Sequence, residues 1–112
     1  MSQKRLEIVF DSNEGLNDFF ERSSVENGVT IGMGAATFTL SAYEANKGFG
    51  FEIVGEILVH VAEAAAAHLI VEWLLKKLSR SAKFVRYKGK SYEITREGMM
   101  QLVGVLEREG GA

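Results

Sequence analysis

Alternating and helical periods divide most of the chain into short elements. In Lys4 to Phe10, Leu6, Ile8 and Phe10 fall on one side, with Arg5, Glu7 and Val9 on the other. A repeat of two predicts a strand. Asp11, Ser12 and Asn13 come next as N-cap candidates. Leu16, Phe19 and Phe20 then recur at helical spacing, which predicts a short amphipathic helix from Glu14 to about Arg22. Asn27-Gly28 marks a turn. Val29, Ile31 and Met33 alternate, as do Phe38, Leu40 and Ala42. They read as two strands, or as one long strand broken by a bulge at Gly34 to Ala36. Asn46 to Gly48 reads as a loop, and Phe49 to Phe51 as either a short strand or an irregular lead into a long helix.

Glu56 to Leu78 contains neither Pro nor Gly and is rich in Ala and Leu, residues that lose little entropy in a helix. The expectation is one central helix of about 35 Å. Stepped at 100° per residue, Val59, Ala62, Ala66, Leu69, Ile70 and Trp73 share a side. Ile57, Val61, Val71, Leu74 and Leu75 fill most of the remainder. A helix apolar on so many sides is buried by more than one neighbour. Ala62, Ala66, Ile70 and Trp73 therefore stand as a face for self-association, and a homodimer or larger oligomer is expected. Glu56, Glu63 and Glu72 make the same stretch expensive inside a bilayer, so no membrane partner is expected.

Ala82 to Lys88 and Lys90 to Thr95 form the clearest hairpin, turned at Gly89. Thr95 is placed to cap a last helix with Met99, Leu102, Val103 and Leu106 inward. The sum is an α+β fold. A small antiparallel or mixed sheet packs against one long apolar helix and two short ones. Residues 1–109 form a single domain, with a frayed tail at 110–112.

The length of 112 residues suits one domain with its own core. The absence of Cys removes disulfides and thiolate ligands. The opening residues lack a signal-peptide core, and the expected location is cytoplasmic.

Charge adds the strongest functional cue. The net charge of −2 divides into −7 over residues 1–75, +7 over 76–96 and −2 over 97–112. Lys83, Arg86, Lys88, Lys90 and Arg96 lie on or beside the hairpin, among Phe84, Tyr87 and Tyr92. Such a block steers association with acidic surfaces. The partner expected is another protein with an acidic surface. The alternative is a nucleic acid, which uses the same mixture of cations and aromatics. A third reading is a solvated sheet whose edge is protected by lysine.

Catalytic and metal chemistry find little support. His60-x-x-Glu63 and His68-x-x-x-Glu72 place two His–carboxylate pairs on the expected helix, but no second helix supplies histidine. Polar pairs at a buried helix's rim explain them more simply. Neither Gly32-x-Gly34 nor Gly48-x-Gly50 continues into a phosphate loop, and no G-x-S-x-G is present. The expectation is a non-enzymatic protein without metal or cofactor.

The strand RLEIVF, the helix EGLNDFFER, a long Ala-rich helix ending near Trp73-Leu74, the basic hairpin FVRYKGKSYEIT and a closing helix come in that order. This arrangement resembles the effector-associated constant component proteins of bacterial conflict systems. The resemblance implies an accessory partner of an effector and supplies no catalytic residues. The protein is expected to be a binding module of bacterial or phage type, an accessory, immunity or inhibitor component.

Overall fold

A computed structural model describes residues 3–33, 36–45, 52–61 and 67–110. Their order is β1 (Gln3–Phe10), α1 (Asn13–Phe19), β2 (Thr30–Met33), β3 (Ala36–Ala45), β4 (Ile53–Val61), α2 (Ala67–Leu78), β5 (Ala82–Tyr87), β6 (Lys90–Glu93) and α3 (Arg96–Gly110). The fold is α+β. Its six strands form one sheet in the order β2-β3-β4-β1-β5-β6, and every adjacent pair is antiparallel.

The expected helix from Glu56 to Leu78 is corrected by this arrangement. Its first part, through Val61, belongs to β4, at the centre of the sheet, and among the described residues α2 is helical over Ala67–Leu78. The burial of β4 explains why. Ile53, Gly55, Ile57 and Val59 are buried, whereas Val54, Glu56, Leu58 and His60 are half-buried. That is a repeat of two, carried largely by β-branched residues suited to a pleated surface. Pairing with both β1 and β3 satisfies the backbone. Ala62 to Ala66 lie outside the described residues. Among the described residues the longest helix is α3, at 15 residues.

The other elements arise from local chemistry. Ser12 caps α1, its hydroxyl accepting from Gly15 N–H at 3.4 Å. Thr95 caps α3 by accepting from Gly98 N–H at 3.0 Å. Gly89, at φ +81°, turns the β5–β6 hairpin, a conformation costly for any residue with a Cβ. Met33 pairs with Ala36, so β2 and β3 form a hairpin whose connection at 34–35 lies outside the described residues. The stretches expected as a loop and an ambiguous segment, at 46–51, also lie outside them. Helix α3 continues through Gly110, the first residue of the expected frayed tail.

All three helices cover one face of the sheet. Leu6, Ile8 and Phe10 of β1 join Phe38, Leu40, Ile57, Val59 and Val85 in one core with Leu16, Phe19, Leu74, Leu78, Met99 and Leu102. The other face carries Arg5, Glu7, Val9, Val54, Glu56, Leu58, His60, Phe84 and Arg86, none of which belongs to that core. Arg5 and Arg86 approach Glu56 and Glu7 across the strands there, at 3.5 and 2.8 Å.

Much of the apolar surface of α2 packs within the chain, although Leu69 is exposed. Ile70 is 3% exposed. Trp73 packs on Phe38 and, edge-on, on Phe19. Of the four residues expected to self-associate, Ile70 and Trp73 pack within the chain and Ala62 and Ala66 lie outside the described residues.

Candidate functional site

The basic residues of the 83–96 block are dispersed. Lys83 Nζ stands 2.5 Å from Glu52. That hydrogen bond, reinforced by the attraction between the two charges, raises the pKa of Lys83 above its ordinary 10.5. Arg86 lies on the face of the sheet opposite α1, α2 and α3 and donates from Nε to Glu7 at 2.8 Å. Arg96 lies on the helical side, paired with Glu72 of α2. Lys88 and Lys90 sit at the hairpin tip, 5.5 Å over the Tyr87 ring and 5.3 Å over the Tyr92 ring. Thus Arg86 and Arg96 occupy opposite sides of the sheet, and Lys83, Arg86 and Arg96 each face an acidic partner within the chain. The sequence block of +7 is not one positive surface. Exposed pairs of this kind contribute about 0–1 kcal/mol each, so their main effect is to cancel local field.

Tyr87 and Tyr92, the aromatic residues interleaved with these cations, are buried in the core beneath the hairpin. Phe84 alone of the three hairpin aromatics lies on the outer face, between Val9 and Glu93 in register. Stacking of successive bases needs a row of accessible rings, which the hairpin does not present.

The two histidines are on separate elements. His60 is on the outer face of β4, in register with Thr37 of β3 and Gln3 of β1. His68 is in the first turn of α2 and is exposed. Among the described residues no three His, Asp or Glu side chains converge on a possible metal position. No helix among them is long and apolar enough to cross a membrane.

A different site emerges between α2 and α3. There a groove of about 270 Å³ is lined by His68, Val71, Glu72, Arg96, Met100, Val103, Gly104 and Glu107. Val71 and Val103 are buried and form its floor. The Arg96–Glu72 pair closes one end, and His68 and Glu107 supply polar groups elsewhere on the rim. Met100 is 59% exposed beside it, and Leu69 on α2 is 51% exposed. Gly104 contributes open space, since a Cβ there would meet nothing within 4 Å. A larger depression, about 430 Å³, lies over the Arg22–Val29 loop and has polar walls with Val29 its single aliphatic residue.

Sequence periodicity correctly assigns Met99, Leu102, Val103 and Leu106 to the inner side of α3. It leaves Met100 and Gly104 unassigned. Both carry a signal. Met100 falls outside the inward set of Met99, Leu102, Val103 and Leu106 and is exposed, and a glycine inside a helix lowers stability without an evident turn to serve.

Comparisons with protein-family models, with curated proteins and with solved structures gave no match.

Proposed function

We propose that this protein is a non-enzymatic protein-binding module and that it engages its partner through the α2–α3 groove. The observation that carries the reading is an apolar floor bordered by Met100, a large apolar side chain that is 59% exposed. Met is suited to such a surface because its flexible, polarisable chain adapts to different neighbours. Gly104 leaves the groove open enough for an inserted side chain. An aliphatic or aromatic anchor from a partner would displace water from Val71 and Val103, and the rim at His68, Glu72, Arg96 and Glu107 would orient it. This division into buried anchor and polar rim is how small interfaces concentrate their affinity. An accessory or inhibitory role fits a domain that acts by occupying a surface of another protein.

A photo-crosslinking residue placed at Met100 tests the reading in cells that contain the partner. The expected product is a discrete adduct that protease digests and nuclease does not. It should fade when Gly104→Leu fills the groove. The same crosslinker at Thr39, on the other side of the molecule, should give no such adduct. Equal adducts at both positions, or an adduct sensitive only to nuclease, would overturn it.

A further inference from the structure

We infer that the outer edge of β3 pairs with the same edge of a second copy of this chain, antiparallel and centred on Tyr43. Strand β3 runs from Ala36 to Ala45, but β2 covers it only from Ala36 to Thr39. Leu40 closes that pairing: its N–H donates to Val29 O at 2.8 Å and its carbonyl accepts from Gly28 N–H at 2.7 Å. The chain then turns away, with Val29 N–H donating back to Glu26 O at 3.1 Å. From Ala42 to Ala45 the partner strand among the described residues is β4, on one side only. An edge of this kind is a template for another strand. Pro and Lys, which normally protect such edges, are absent from Ser41–Ala45.

The hydrogen-bonding register determines which groups face outward. In an antiparallel pair, successive residues direct their backbone groups alternately to the two sides. Leu40 faces β2, so its opposite residue Ile57 directs its own groups to β1. Alternation along β4 then turns Glu56 and Val54 toward β3. Ser41 is the extra residue of a bulge, and Ala42 and Glu44 oppose Glu56 and Val54. Ala42 and Glu44 therefore spend their backbone groups on β4. Tyr43 and Ala45 direct theirs to the open edge.

Only some twofold registers remain. A centre on Ala42 opposes Tyr43 to the bulge residue Ser41. A centre on Glu44, although it opposes the outward-facing Tyr43 and Ala45, sets two carboxylates directly opposite each other, which is destabilising. A centre on Tyr43 lets two tyrosines exchange both backbone bonds. It sets Glu44 of each copy opposite Ala42 of the other, so no like charges meet. Tyr43 is 41% exposed and one of the few large apolar side chains that are. In this register the two rings become cross-strand neighbours on the same face, a favourable pairing in sheets. The second copy fits because this edge is complementary to itself.

The test uses the full chain, which contains no Cys. Tyr43→Cys introduces a single thiol, and the inferred register places the two Cα atoms about 5.5 Å apart, within disulfide range. Mild oxidation should give a covalent dimer rapidly. Ser91→Cys, exposed on the opposite edge strand β6, should give little under the same conditions. Light scattering of the unmodified chain should show a concentration-dependent rise toward the mass of two chains. Tyr43→Pro removes the outward donor and spares the bonds to β4, so it should abolish that rise with circular dichroism unchanged. If the proline variant does not fold, Ala45→Lys, which adds like charges to both edges, should do the same. A constant monomer mass at high micromolar concentration would overturn the inference. So would equal cross-linking at positions 43 and 91, or dimerisation undiminished in a folded edge variant.

Discussion

The ring of Trp73 stacks on the ring of Phe38, with centroids 5.0 Å apart and planes 23° apart. One residue lies on α2 and the other on β3, so the contact ties the helical layer to the sheet. Phe19 of α1 meets both rings edge-on, at 6.0 Å from Phe38 and 5.8 Å from Trp73. Lys77 spreads over the outer side of the indole, 5.8 Å from its centroid. Three elements distant in sequence thus share one aromatic joint.

Trp73→Ala should therefore destabilise the single chain. Truncating a large aromatic in a packed site costs about 3–5 kcal/mol, and the partial exposure of Trp73 places the expected loss toward the lower figure. Chemical denaturation should show an earlier midpoint that does not depend on protein concentration. A loss that disappears at high concentration would instead assign Trp73 to an interface between chains.

The same joint shows what sequence reading captures and what it misses. Apolar periodicity identifies Phe19, Phe38 and Trp73 as members of some buried face, and the caps at Ser12 and Thr95 are visible from residue type. The error in β4 has a physical origin. Glu56 to Val61 has apolar residues on both sides of an alternating pattern, because Leu58 is apolar as well as Ile57, Val59 and Val61. Propensity then favours continuing the Ala-rich helix backward. Pairing partners on β1 and β3, which no local window contains, decide the matter. The groove is hidden for a related reason. Its floor at Val71 and Val103 is assembled by two helices separated by the whole β5–β6 hairpin. The ion pairs that disperse the basic block, such as Arg86 with Glu7, likewise link residues far apart in the chain.

Two glycines in α3 should respond in opposite directions to alanine. At Gly98 a Cβ would collide with the Glu93 carbonyl at the end of β6. Backbone cannot yield as a flexible side chain does, so Gly98→Ala should cost about 1–3 kcal/mol, as overpacking does. At Gly104 the added methyl meets nothing. Gly104→Ala should stabilise the helix by about 0.4–1 kcal/mol through lost freedom in the unfolded chain. Urea midpoints of the two variants, measured side by side, check both signs.

Two surface ion pairs should leave marks at opposite ends of the pH scale. Lys77 donates to Glu21 at 2.6 Å. That hydrogen bond and the nearby positive charge hold the Glu21 carboxyl below its ordinary 4.5. Its contribution to stability is present above the unfolded value and is lost as pH falls through the lower folded one. The stability gap between the native chain and Glu21→Gln should consequently narrow in acid. Lys83 is raised by Glu52, so its contribution is complete below 10.5 and is lost as pH rises through the higher folded value. The gap to Lys83→Met should narrow in strong alkali. Both groups are exposed, so the measurement needs difference curves recorded at low salt, where screening is least.

Oligonucleotide binding provides the sharpest discrimination between partner classes. A protein that neutralises phosphates with several cations releases counterions, and on single strands its affinity falls with a log–log slope of about −0.7 per contact. Such binding requires cations gathered on one accessible surface. Here Arg86 and Arg96 lie on opposite sides of the sheet, each paired with a glutamate. The net charge of −2 adds a weak general repulsion. Base stacking would need accessible rings, yet Tyr87 and Tyr92 are buried. The expected outcome is no submicromolar retention of single- or double-stranded oligonucleotides near the physiological ionic strength of about 0.15 M. At lower salt any retention should be weak and insensitive to sequence. Fluorescence anisotropy with a generic labelled strand, repeated across a salt series, measures this directly. Tight retention at physiological salt, lost in the double variant Arg86→Glu with Lys88→Glu, would move the binding surface from the α2–α3 groove to the hairpin and its partner from protein to nucleic acid.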